Sequence, residues 1–225
     1  MSLELQGFID LPPHVGQGAF DHAAVHTASG RCYVAHTAND AIDVIDLVAR
    51  KYVGSIPGLT APAGALVTEA PDFVFTSNRG EDTVGIFTPA NEMVEKVGVG
   101  VKPNGNVPHA GAHGLGIDVA GRRLFCACDA SVLLELDADS GETLATVPIA
   151  GPPDVVFFNA ALGRVYVAIG DPGVIEVFDT SPLRRHETVT TESGAHTLAF
   201  DATRNIVCAF LPETHRAALY VDRKA

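Results

Sequence analysis

Hydrophobic and polar positions alternate along this chain in short runs, and the runs return at a near-constant spacing. The segments RCYVAHTANDAIDVIDL, DFVFTSNRGEDTVGIFT, RLFCACDASVLLELDA, RVYVAIGDPGVIEVFDT and NIVCAFLPETHRAALYVD each hold an apolar run, a polar turn and a second run ending mostly in Asp. Short runs rich in β-branched and aromatic residues, punctuated by Gly, Asn, Asp and Pro, predict consecutive β-hairpins. A further strand is predicted before each pair, as in ALVT, GLGID, VVFFN and TLAFD. Another follows in the complete copies, as in KYVGSIPG, MVEKVGVG and ETLATVPIAG. No long stretch combines helical periodicity with capping residues.

A four-strand unit with a period of roughly 40–50 residues predicts a propeller, because one such blade cannot bury both of its faces alone. The expected fold is all-β: a single five-bladed β-propeller of four-stranded antiparallel blades over residues 1–225. Its blades fall at approximately 22–61, 62–108, 109–151, 152–193 and 194–225, the last completed by 5–12. The fifth copy stops after its third strand, at AALYVDRKA, whereas LQGFIDLPP near the start reads as an unattached fourth strand. Pairing the two would close the ring and leave no open edge between the first and last blades.

The repeat carries its candidate chemistry at one aligned position. His22, His113, Asp154 and His196 occupy it in FDHAAV, GAHGLGI, PPDVVFF and GAHTLAF, and Gly64 fills it in PAGALV. In a propeller the first strand of each blade lines the central channel, so three imidazoles and a carboxylate are expected to meet near the axis. Neutral imidazole and carboxylate suit one divalent transition metal: zinc, copper, nickel or iron. Gly64 would leave a sector open to water or substrate, and Asp154 would serve as fourth ligand or as orienter of an imidazole. The competing reading is structural, with each His capping a strand entry through backbone bonds. His36, Arg79 and His109 are the expected rim residues, handling protons or an anionic substrate group. His109 lies in VKPNGNVPHAG, an insertion placed to act as a flap. Asn78, Asp129, Asp171, Glu213 and His215 fall in equivalent turns, His26 deeper in the channel or core, and His14 and His186 on the surface.

GRCYVAHTANDAIDVIDL and GRVYVAIGDPGVIEVFD resemble the YVTN-type repeat of lactonase-like β-propellers, through Gly30-Arg31, Gly163-Arg164, Val44-Ile45-Asp46 and Val177-Phe178-Asp179. The resemblance spans essentially the whole chain. It implies a propeller with a central pocket; related propellers include metal-dependent sugar-lactone hydrolases and a streptogramin lyase. Those lactonases use mainly carboxylate and Asn ligands and the common members have more blades, whereas this chain offers mainly His. The resemblance therefore carries the fold and the place of the pocket, and no ligand residue.

Composition narrows the partners. A net charge of −12, from 15 basic and 27 acidic residues, disfavours nucleic-acid and anionic-membrane surfaces. No signal peptide and no span of roughly 18–20 apolar residues is visible, so a cytoplasmic setting is expected. Cys32, Cys126, Cys128 and Cys208 fall in apolar runs and read as small buried hydrophobes, although Cys128 shares its repeat position with His36. No GxSxG elbow, P-loop, CxxC or dinucleotide fingerprint is present. The expected function is a metal-dependent hydrolase or lyase acting on a small polar substrate in the central pocket. The alternative is a non-catalytic propeller that binds a ligand or protein partner, with a structural or storage metal.

Overall fold

The computed structural model describes residues 2–69, 72–81, 83–98 and 112–223, the side chains of 98, 112 and 113 excepted. Five four-stranded antiparallel sheets account for the strands. Blade one contains β2 (Phe20–His26), β3 (Arg31–His36), β4 (Ala41–Asp46) and β5 (Lys51–Pro57). Blade two contains β6 (Pro62–Glu69), β7 (Asp72–Asn78), β8 (Thr83–Phe87) and β9 (Met93–Gly98). Blade three contains β10 (Ala112–Asp118), β11 (Arg123–Cys128), β12 (Val132–Asp137) and β13 (Thr143–Pro148). Blade four contains β14 (Pro153–Asn159), β15 (Arg164–Ile169), β16 (Val174–Thr180) and β17 (Leu183–Thr190). Blade five contains β18 (Leu198–Asp201), β19 (Ile206–Leu211) and β20 (Arg216–Asp222), and β1 (Leu3–Asp10) pairs with β20 to complete it.

The residue pattern explains the layering. In blades one and four the second and third strands are covered on both faces, so Arg164–Ile169 and Ala41–Asp46 are almost wholly buried. The outermost strand Lys51–Pro57 alternates between exposed and covered positions, as a strand with one wet face must. Successive side chains feed opposite seams: Cys32 and Val34 pack toward blade five, Tyr33 and Ala35 toward blade two. Among the described residues, four apolar clusters fill the seams between blades one and two, three and four, four and five, and five and one. On the inner strands of blades two and three, Leu66, Leu115 and Ile117 are exposed.

Two features of the repeat motif have local causes. Gly30 and Gly163 adopt φ of +71° and +62°, the left-handed conformation that lets the chain turn into the second strand. The Asp that ends the third strand caps the next turn: Asp46 accepts from the amides of Val48 (2.9 Å) and Ala49 (2.7 Å). Asp137 does the same for Asp139 (3.0 Å) and Ser140 (2.8 Å), and the Ser140 bonds hold its carboxyl below the usual range.

Candidate metal centre

Four inner strands are irregular at the entry that bears the candidate ligands. Their registers break between Asp21 and Ala23, Pro62 and Gly64, Ala112 and Gly114, and Pro153 and Val156. The residues displaced are His22, Ala63, His113 and the pair Asp154-Val155. A bulge re-aims the side chain it expels, so these strands present their entry residues differently from regular ones.

The bulges also shift the alignment. Ala23, Ala65, Leu115, Val156 and Ala199 pair with Val34, Thr76, Cys126, Val167 and Cys208, which share one repeat position. Counting back from them, His22 and Gly64 lie one residue upstream, His113 and Asp154 two, and His196 three. The expectation of one common height is corrected accordingly, since inserted residues change the count without breaking the blades.

Despite the offsets, His22 and Asp154 come together, and His196 reaches Asp154. Asp21, His22 and Asp154 each place a donor atom within 4.8 Å of the others. Asp154 Oδ2 lies 3.8 Å from His196 Nε2. The other ring nitrogen, His196 Nδ1, is 2.7 Å from the Gly194 carbonyl. A carbonyl only accepts, so this bond assigns the proton to Nδ1 and leaves the neutral ring a lone pair on Nε2, aimed toward Asp154. A protonated ring would pair with that carboxylate directly, whereas a neutral ring turns toward it a lone pair that a bound cation would use. Two metal–ligand bonds of roughly 2.0–2.2 Å can span about that separation, and a backbone carbonyl behind the imidazole is the usual dressing of a metal ligand.

The surroundings fix these groups without sealing them. Asp21 accepts the His22 amide (2.9 Å) and meets Arg79 Nη2 at 3.6 Å. His22 is 53% exposed, while Asp21 and Asp154 are about one-fifth exposed. A cleft of about 210 Å³ opens beside His22, Gly114 and Asp154. A Cβ on Gly64 would stand 3.6 Å from that of His22, and one on Gly170 would stand 3.1 Å from that of His196. A Cβ on Gly114 would come within 2.6 Å of the Asp154 carbonyl oxygen, so glycine lets β10 approach β14 closely here.

The remaining expectations divide. His113 contributes its backbone to β10, and its side chain lies outside the described residues. His109 and the 101–111 insertion lie outside them entirely. Arg79 stands beside the cluster through Asp21. His36 does not stand at a rim: it is fully buried, with Nδ1 2.7 Å from Asp43 Oδ2. Its ring is covered by those of His14 and Phe20, and this removes His36 from proton exchange with a substrate. Asn78 is also buried, donating to Thr83 Oγ1 at 3.0 Å. Asp129, Asp171 and Glu213 are exposed in their turns. His26 is buried as expected, bridging Ser29 and Asp72 at 2.7 Å each. His186 is partly covered and paired with Asp179 at 3.2 Å, and His14 packs among aromatic rings, so neither is a free surface residue.

All four cysteines are buried and free. Burial raises the thiols of Cys32 and Cys208 and, with its neighbour Cys128, pushes Cys126 up to about 11. Such thiols stay protonated at neutral pH and serve as packing groups. Asp21 was the ligand candidate missed from the sequence. Its signal was adjacency to His22, which strict alternation assigned to the opposite face until the bulge intervened.

No protein-family profile matches the chain, and no curated protein matches it. Solved structures do. A chain of a structure described as a mitotic checkpoint complex superposes with a TM-score of 0.74 at 9% identity, covering 98% of this chain and 92% of that one. The β-propeller domain of Cps50 (Swd1) from Myceliophteria thermophila gives 0.61 at 9% identity, covering 93% of this chain and 99% of that domain. At such identity the likeness speaks for architecture alone, and with five four-stranded antiparallel sheets it identifies the chain as a β-propeller.

Proposed function

We propose that this protein is a non-catalytic β-propeller that binds a protein partner, with a divalent transition metal held by His22, Asp154 and His196. The observation that carries the metal reading is the placement of His196, whose Nδ1 is tied to the Gly194 carbonyl and whose Nε2 faces Asp154 across 3.8 Å. Asp21 lies close enough to be a further ligand. A bound metal would supply a fixed positive charge at the surface of an acidic protein. The scaffold reading draws support from the similar chain that belongs to a checkpoint complex. It also draws support from His36, the expected proton carrier, being sealed in the core. Arg79 cannot replace it, because a guanidinium does not exchange protons near neutral pH. The finer likeness to lactonase-like propellers remains part of this proposal through the Gly30-Arg31 and Gly163-Arg164 turns.

One observation favours a second reading. The cleft of about 210 Å³ beside His22 and Asp154 leaves the metal position open to a small molecule. There a metal would polarise a substrate oxygen or lower the pKa of bound water, as hydrolase or lyase chemistry requires.

Elemental analysis of untagged protein tests the site. His196→Ala should lower the metal content by one equivalent per chain while circular dichroism and melting stay near wild type. Unchanged metal content would overturn the assignment. Hydrolysis of simple lactones and esters is expected to stay at the buffer rate. Turnover that rises with metal occupancy and vanishes in His196→Ala would replace the scaffold reading by the enzymatic one.

A further inference from the structure

Six buried side-chain polar atoms among the described residues have no hydrogen-bond partner, and three belong to one group of histidines: His14 Nε2, His36 Nε2 and His215 Nδ1. Buried orphan nitrogens are rare because each forfeits its hydration, so three together call for a common cause. The rings are neighbours. The His14 centroid lies 4.9 Å from that of His36 and 4.5 Å from that of His215, in edge-to-face arrangement. Phe20 closes one side, 5.1 Å from His14 and 4.5 Å from His36, with Phe210 behind it at 5.6 Å.

Chain segments remote in sequence are stapled to bring these rings together. His36 ends β3, His215 lies in the β19–β20 turn, and His14 lies in the segment that leads from β1 to β2. That segment is tied on both sides. The Leu11 amide donates to the His215 carbonyl at 2.8 Å. On the other side Asn39 donates to the Pro13 carbonyl (3.0 Å) and accepts from Val15 (2.9 Å), and the Gly16 amide donates to Ala38 (2.8 Å).

His36 is the most informative member. Its Nδ1 meets the fully buried Asp43, whose other oxygen accepts from Ser55 at 2.6 Å. A carboxylate only accepts, so Nδ1 carries a proton and the neutral ring keeps its lone pair on the orphan Nε2. An imidazole backed by a carboxylate, with a dry lone pair on its far nitrogen, is built as a metal ligand.

We propose that His14, His36 and His215 form a second metal site, selective for borderline cations such as zinc or cobalt(II), with Asp43 orienting His36. Three imidazoles without a carboxylate ligand suit such ions better than calcium or magnesium. His36 is fixed, and the partly exposed rings of His14 and His215 rotate to bring their nitrogens to coordination distance. The site shares no residue with the His22–Asp154–His196 cluster.

Cobalt(II) titration of the metal-stripped full chain tests the proposal in a His22→Ala/His196→Ala background, which removes the first cluster. One equivalent should bind, with ligand-field absorption from nitrogen ligands. Adding His215→Ala or His14→Ala should abolish it, and neither substitution empties the sealed position 36, so the fold is expected to persist by circular dichroism. Asp43→Asn should weaken binding by about 10–100-fold. Absence of cobalt binding in the double variant, or binding unaltered by both His215→Ala and His14→Ala in a folded protein, would overturn it. The difference between wild type and the double variant reports separately on the first cluster.

Discussion

Asp222 is fully buried and gathers its partners from another blade. It pairs with the Arg164 guanidinium and accepts from Tyr166 Oη at 2.7 Å, while Asn159 donates to the same hydroxyl at 2.8 Å. Removing one member of such a buried pair strands the other charge, a loss larger than the net value of the pair. Asp222→Ala should therefore destabilise the protein by about 3–5 kcal/mol in urea unfolding. A cost below about 1 kcal/mol would show that Arg164 finds another route to solvent or to Asp179. The sequence marks Arg164 as the residue after a turn glycine and Asp222 as a strand end. It does not show that the two meet, because they belong to adjacent blades and lie 58 positions apart. His36 teaches the same lesson, since a polar residue at a strand end reads equally as rim or as core.

At the scale of the element, β1 was legible and its fastening was not. Seven pairings place it on β20, as its unattached position in the sequence suggested. The structure adds a clasp from blade four: Glu187 accepts from Ser2 N (3.0 Å), Ser2 Oγ (2.5 Å) and Leu3 N (2.8 Å). Burial alone would raise the Glu187 carboxyl, but these bonds outweigh it and hold it below the usual range. A depressed folded-state pKa contributes stability above the ordinary carboxylate value and loses it as pH falls through the lowered one. Glu187→Gln should cost about 1–2 kcal/mol at neutral pH, after discount for partial exposure. It should also speed amide exchange in β1 more than elsewhere. The gap between wild type and variant should narrow as pH drops through the carboxylate range. A gap constant down to about pH 3 would exclude the carboxylate as its source.

Across the whole molecule, blade-to-blade packing sets what the inner strands can present. Gly114 marks a close approach of the inner strands β10 and β14, with an added Cβ 2.6 Å from both the Asp154 carbonyl oxygen and Val156 Cγ2. Gly114→Ala should push β10 from β14, destabilising by about 1–3 kcal/mol in thermal or urea unfolding. It should also weaken metal binding at Asp154, and unaltered metal affinity would separate blade spacing from site geometry. The sequence by itself determined the all-β class, the four-strand blades and the place of β1, because alternation, turn residues and repeat length are local or periodic properties. Only the tertiary structure decided which imidazoles meet. Bulges that no pattern of apolar residues announces displaced His22 and Asp154 within β2 and β14, yet left their side chains within reach of each other and of Asp21. Hydrogen bonds between segments remote in sequence carried His14 beside His36 and His215, because ring contacts between blades depend on register and seam, which the linear chain does not encode position by position.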